Sequence, residues 1–171
     1  MRLSGVLGGI VMFHAAAAQP EGVPACALHH TVTATARSVA ELPVALRRDL
    51  LSHLRAASDG EGDDARALIA APEAPFNATD VGGVGRPNQP PLPHRRFLRA
   101  GLVGGTWFIW YEHGGRGYHA HLVLYAAPRQ DAPAMLLANF SLAASDLCAA
   151  TDAALEHAAM PVSAVSSKTH W

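Results

Sequence analysis

The sequence carries little charge of either sign and has no excess of basic residues. Lysine and arginine number 13 against 14 acidic residues, and charged residues make up 16% of the chain. A protein that binds nucleic acid or an acidic membrane surface usually needs clustered positive charge. The composition therefore argues against a nucleic-acid partner and leaves a protein or a small molecule as the expected ligand.

Cysteine is scarce as well, with Cys26 and Cys148 as the two residues of this type. There is no C-x-x-C motif, so neither zinc-finger nor thioredoxin chemistry is indicated. In an oxidising compartment two cysteines are expected to pair. We predict a Cys26–Cys148 disulfide, with two separate buried thiols as the alternative.

The chain also lacks an apolar run long enough to cross a bilayer. The short apolar run over 3–13 follows Arg2 and precedes "AAAAQP", which is the order of features in a signal peptide cleaved near Ala18. We predict a signal peptide over 1–18 and a secreted or periplasmic mature protein with no stable membrane insertion. An uncleaved anchor is the alternative.

Hydrophobic periodicity predicts a single α+β domain over 19–160 and a flexible tail over 161–171. The clearest helix is "ELPVALRRDLLSHLRAAS", in which leucines recur every four residues and Pro43 suits the first turn. Alternating segments with close turn signals, among them "RRFLRAGLV" and "TWFIWYEH", are typical of an antiparallel meander. We predict a meander of four to five strands packed against one main helix, with a C-terminal helix in "SDLCAATDAALEHA".

The stretch over 58–93 is crowded with glycine and proline, which predicts a long loop. Loops of this length are usually functional or mobile. Phe76, Asn77 and Asp80 in this loop are therefore candidate binding residues. The alternative is that the polar side chains hold turns by bonding to the backbone.

Most of the chain's aromatic residues and three histidines lie in "WFIWYEHGGRGYHAHLVLY", over 107–125. A type II′ turn at Gly115-Arg116 would pair Glu112 with His119 and place His121 on the same face. We prefer this register because it keeps Glu112 out of the core. The predicted core face then holds Trp107, Ile109, Tyr111, Ala120, Leu122 and Leu124.

A three-residue loop with Gly117 in the left-handed conformation is the competing turn. It shifts the register by one residue, exchanges the two faces and gathers His113, His119 and His121 instead.

An H-x-H pair on a strand, with a third donor on the next strand, can hold zinc or copper. In the preferred register the ligand set would be Glu112, His119 and His121. The simpler interpretation needs no cofactor and treats Glu112 and His119 as a surface pair that contributes at most about 1 kcal/mol. No nucleophile stands beside this group, so catalysis is not indicated.

Residues 101–141 resemble the C-terminal meander of cystatins, which are inhibitors of papain-like proteases with β-α-β-β-β-β topology. The stretch "LVGGT" is similar to the end of their first binding loop, a Q-x-V-x-G motif followed by threonine. "HLVLY" and "LLANFS" are similar to their last two strands. The resemblance implies a wedge for a protease cleft, formed by Leu102, Val103, Gly104, Gly105 and Thr106.

The chain departs from the cystatin pattern at Gly101, where the motif has glutamine, and in the second hairpin, which lacks tryptophan. The 58–93 insertion and the C-terminal helix are also foreign to the family. The leading expectation is an exported, non-enzymatic binding module. One alternative is a cystatin-like inhibitor of cysteine proteases. The other is a metal-binding protein or a metal-dependent enzyme that uses His119 and His121.

Overall fold

A computed structural model describes residues 27–57, 68–78, 92–115, 117–129 and 132–158. The predicted signal peptide and the predicted tail lie outside the described residues, as do Cys26, Asp80 and Arg116.

The chain forms an antiparallel sheet of five strands with a helix on each face. Neighbouring strands pair in the order β1-β2-β3-β4-β5, so the predicted α+β meander with a C-terminal helix is confirmed. None of the helices within the described ranges is long and apolar enough to cross a membrane. The elements are β1 (Ala34–Ala36), a 3-10 turn (Val39–Glu41), α1 (Val44–Ala56), β2 (Arg95–Val103), β3 (Thr106–His113), β4 (His119–Ala126), β5 (Met135–Leu142), a second 3-10 turn (Ala144–Asp146) and α2 (Leu147–Ala158).

Helix α1 forms where the leucine periodicity predicted it. Pro43 is the N-cap residue, and its carbonyl accepts the first helical hydrogen bond from the Arg47 N–H at 2.9 Å. The leucines recur on one side of the helix, so that side is buried against the sheet. Burial of each contributes up to about 1.5–3 kcal/mol. The buried leucines are Leu46, Leu50, Leu51 and Leu54.

Helix α2 covers the opposite face of the sheet, so the fold has three layers. Ile109 and Tyr111 pack in the α1 cluster, whereas Trp110 and Leu122 pack with Leu155 of α2 in the other. Strands β3 and β4 each have six consecutive buried residues. Near-continuous apolar runs of this kind are typical of strands that are covered on both faces.

The preferred register of the β3–β4 hairpin is wrong by one residue. His113 pairs with His119 and Glu112 pairs with Ala120, as the competing three-residue loop requires. Gly117 has φ +75°, in the left-handed region. Consequently the predicted core face does not exist as a single face: Leu122 lies under α2, while Tyr111 lies under α1.

Two polar contacts hold α2 in place. The Trp110 indole N–H donates to the Thr151 hydroxyl at 2.8 Å, and that hydroxyl donates to the Leu147 carbonyl at 2.6 Å. Asp152, which is 8% exposed, accepts the backbone N–H of His29 at 3.1 Å. The described chain near His29 is therefore attached to α2 by a hydrogen bond.

The segment over 68–78 lies inside the predicted long loop, and it contributes to the core. Leu68 and Ile69 are buried in the α1 cluster, and Ala70 forms a parallel bridge with Arg96 of β2. The Asn77 N–H then donates to the Pro93 carbonyl at 2.8 Å. These backbone contacts place the end of the segment, at Asn77, beside the turn that joins β3 and β4.

Candidate metal centre

Three histidines meet where β3 ends and β4 begins. His113 is the last residue of β3, and it pairs directly with His119, the first residue of β4. His121 follows two residues later and therefore lies on the same face. One ring nitrogen from each of the three lies within 4.8 Å of the others. These histidines are called the histidine cluster below.

Hydrogen bonds donated by the Nδ1–H groups orient two of the rings. The Nδ1 of His119 lies 2.6 Å from the Gly117 carbonyl oxygen, and the Nδ1 of His121 lies 3.1 Å from the Oδ1 of Asn139. Both oxygens accept, so each Nδ1 is the protonated nitrogen. The Nε2 atoms point at each other, 2.9 Å apart. This is the orientation in which metal-binding histidines are commonly held by outer partners.

The ring of His121 is the most firmly held of the three. It is 1% exposed and stacks on Tyr111, with the ring centroids 4.5 Å apart and the planes 6° from parallel. Tyr111 is its partner across the β3–β4 ladder. His113 and His119 are half-buried, so an ion can approach the cluster from their side.

Burial keeps His113 and His121 in the neutral form. Loss of solvent lowers the pKa of His113 and of His121 to about 4, and the positive charge of Arg95 adds to the effect. Arg95 pairs with His113 across the β2–β3 ladder and is 3% exposed. At neutral pH His113 and His121 therefore have a lone pair free for coordination.

Glu112 does not lie with the histidines. Its neighbours in the ladders place it on the α2 face, where Arg96 Nε donates to Oε2 at 2.7 Å and the Tyr118 hydroxyl donates to Oε1. The glutamate is 1% exposed. Burial and the carboxylate together raise the pKa of Tyr118 to about 12, so the phenol stays a donor. The predicted set of Glu112, His119 and His121 is corrected to the histidine cluster.

The predicted binding residues fall in two separate places. The turn formed by Gly104 and Gly105 is exposed at one end of β3, and the histidine cluster is at the other. Leu102 and Thr106 are half-buried and Val103 is buried.

Phe76 and Asn77 lie near the hairpin end instead. The Arg96 guanidinium is 4.3 Å from the centre of the Phe76 ring. A side chain at Gly114 would collide with the Asn77 carbonyl, so the absence of a Cβ at Gly114 lets this segment pack against the hairpin. The third predicted loop residue, Asp80, lies outside the described residues.

Sequence reasoning missed Asn139 and Tyr111 as parts of this site, and it placed His113 only in the competing register. The one local signal for His113 was Gly117, whose freedom to adopt positive φ permits the three-residue turn. Nothing local marked Asn139, because its contact with His121 spans 18 residues of sequence.

Comparison with other proteins identifies no relative of the chain: no family model, curated protein or solved structure matches it significantly.

Proposed function

We propose that the chain is a small binding module that holds a transition metal ion in the histidine cluster. The observation that carries this proposal is the 2.9 Å separation between the Nε2 atoms of His119 and His121. Both rings direct Nδ1 at an oxygen acceptor, so a ring in its neutral form has its lone pair on Nε2. Two lone pairs this close repel each other unless a proton or a metal ion lies between them. A metal ion removes this repulsion and uses both nitrogens.

The donor set favours zinc or copper. Imidazole suits these ions, whereas magnesium and calcium prefer carboxylate and carbonyl oxygen, and the described cluster offers three imidazoles. A tetrahedral ion with bonds of about 2.0–2.1 Å to nitrogen would separate two ligand atoms by roughly 3.3 Å. Small ring rotations from 2.9 Å reach that spacing.

Arg95 lowers the affinity that we expect the histidine cluster to have for a cation. Its buried positive charge lies next to His113, and like charges repel more strongly where solvent is excluded. Three protein ligands also leave a tetrahedral ion one position for a further donor. We therefore expect an ion that exchanges and accepts an outside ligand, rather than one held permanently as a structural element.

Metal titration of the full chain tests the proposal. Zn²⁺ and Cu²⁺ affinities are measured by competition with a chromophoric chelator for the wild type and for His113→Ala, His119→Ala and His121→Ala. Removal of an outer partner typically lowers metal affinity by about 10–100-fold. Each of these variants removes a ligand, so each should lower the affinity by more than that. His157→Ala is the matched control, because His157 is exposed on α2, away from the cluster. Equal loss in the control, or wild-type affinity in all three variants, would overturn the proposal.

We further propose that the module is exported. Arg2, the apolar run over 3–13 and the alanine-rich stretch before Gln19 support this. The intact mass of the secreted protein should correspond to a start near Gln19. Recovery of soluble cytosolic protein that retains Met1 would contradict export. The predicted disulfide belongs to the same proposal, because it requires an oxidising compartment.

A second candidate function is inhibition of a cysteine protease, and the Gly104-Gly105 turn favours it. The φ values of the two glycines are +54° and +85°, and added side chains would meet nothing within 4 Å. The turn therefore projects into open space and could approach a cleft closely. Gly105→Glu should abolish inhibition of papain while the sheet stays folded. Absence of inhibition by the wild type at micromolar concentration would remove this candidate.

A further inference from the structure

An open groove of about 580 Å³ lies on the α1 side of the fold, apart from the histidine cluster. The 3-10 turn and α1 form one wall, and the segment over 69–75 forms the other. Its described lining is mostly apolar and includes Val39, Leu51, Ile69, Ala74 and Pro75. Volumes of about 300–1,000 Å³ with apolar walls are typical of small-molecule sites. The groove is large enough for a small ligand with an apolar body.

One cation lies on the wall of this groove. The Arg47 guanidinium donates through Nη1 to the Ala40 carbonyl at 3.0 Å, which holds the side chain along the 3-10 turn. A guanidinium has five N–H donors, so this contact leaves donors for a ligand. None of the described lining residues is acidic. Ser38 adds a hydroxyl at the same wall.

Three described acidic residues lie in the elements that form the walls, and none of them lines the groove: Glu41, Asp49 and Glu73. Glu41, in the 3-10 turn, accepts the Arg37 backbone N–H at 2.8 Å. Asp49, two residues after Arg47 on α1, accepts a hydrogen bond from the Tyr125 hydroxyl at 2.9 Å, and its Oδ2 lies 3.3 Å from the Nε2 of His53. The groove therefore combines apolar walls with a positive charge that its described lining does not neutralise.

We propose that this groove binds an amphiphilic monocarboxylate, with the apolar chain along Leu51 and Ile69 and the carboxylate on Arg47. Burial of the chain supplies the main driving force, and the charge-assisted hydrogen bond to the guanidinium sets the orientation. The site does not depend on the proposed metal function.

Calorimetric titration of the full chain with decanoate, below its micelle concentration, tests the site. Decanol is the matched ligand, because it has the same chain without the charge, and it should bind at least about tenfold more weakly. Arg47→Gln should weaken decanoate by a similar factor and leave decanol unchanged. Arg48→Gln is the matched control, since Arg48 is the next residue on the helix and is exposed; its decanoate affinity should equal that of the wild type.

A second variant locates the ligand. Ala74→Phe places a larger side chain in the groove and leaves the sequence of α1 unchanged, and it should abolish decanoate binding while the thermal melt stays close to that of the wild type. The proposal is overturned if the wild type does not bind decanoate at millimolar concentration, which is the result expected if other parts of this chain occupy the groove. It is also overturned if decanol binds as well as decanoate, if Arg48→Gln weakens binding as much as Arg47→Gln, or if Ala74→Phe binds normally.

Discussion

The side-chain oxygen of Asn139 lies 3.1 Å from the Nδ1 of His121, and both side chains are buried. Asn139 lies on β5 and His121 on β4, so this hydrogen bond joins two strands on the α1 face. It selects the tautomer of His121 that carries its lone pair on Nε2. Asn139 is therefore a positioning residue for the histidine cluster.

We predict that Asn139→Ala lowers zinc affinity by about 10–100-fold, the usual effect of removing an outer partner of a metal-binding histidine. The affinity is measured by the same chelator competition. Ser52→Ala is the control, because Ser52 is an exposed residue of α1 outside the cluster. Unchanged affinity in Asn139→Ala, or an equal loss in the control, would show that Asn139 does not position the ligand.

Acid should destabilise the metal-free protein over a defined range of pH. The pKa values of His113 and His121 are about 4 in the folded protein, against about 6.5 in the unfolded chain. Below pH 6.5 the two histidines bind protons in the unfolded state but stay neutral in the folded state, so unfolding is favoured as pH falls. The stability is complete above about pH 6.5, and it declines until about pH 4.

Urea unfolding of chelator-treated protein at several pH values between 7.5 and 4 measures this decline. In His113→Gln/His121→Gln the decline should be shallower, because glutamine does not titrate. His157→Gln should keep the wild-type slope, since it changes a histidine outside the cluster. The prediction fails if the double variant and the wild type lose stability in parallel.

The hydrogen bond between Trp110 and Thr151 should matter for the docking of α2. Thr151→Val keeps the shape of the side chain but leaves the buried indole N–H without its acceptor. Such a loss costs about 1–3 kcal/mol of the free energy of unfolding. Thr151→Ser retains the hydroxyl and should recover the hydrogen-bond part of that loss. Urea denaturation distinguishes the two, and equal stability of the valine variant and the wild type would contradict the prediction.

The elements of the fold were predictable because their signals are local. The four-residue spacing of the leucines in α1 describes a helical face within 13 residues. The glycine pairs at 104–105 and 114–115 mark where strands end. Each of these patterns can be recognised without knowledge of the rest of the chain.

The register of the β3–β4 hairpin was not predictable in the same way. Gly115 and Gly117 permit both turns, so the choice depends on how the two faces are covered. The preference for a register that does not bury Glu112 assumed that one face of the β3–β4 hairpin is exposed to solvent. Helix α2 covers that face, and Arg96 together with Tyr118 satisfies the carboxylate there. The histidine cluster depends on this register, so it was not predictable from local signals either.

The last prediction concerns the disulfide between Cys26 and Cys148. Cys148 lies in the first turn of α2, and Asp152 lies one turn later on the same side of the helix. Asp152 holds the backbone N–H of His29, so a residue three positions from Cys26 is fastened beside the helix. Three residues of chain span at most about 10 Å, so we expect the attachment of His29 to favour the bridge.

We predict that peptide mapping of the exported protein under non-reducing conditions will recover the two cysteines in one cross-linked fragment. The bridge would close a loop of roughly 120 residues and stabilise the fold by up to about 4–5 kcal/mol, because it restricts the unfolded chain. Reductant should therefore lower the melting temperature of the wild type, and it should leave the melt of Cys26→Ser/Cys148→Ser unchanged. Asp152→Asn should weaken the fastening of the N-terminal segment without removing the bridge. Two free thiols in the oxidised, exported protein would end the prediction, and the N-terminal segment would then be held to α2 by Asp152 and its hydrogen bonds.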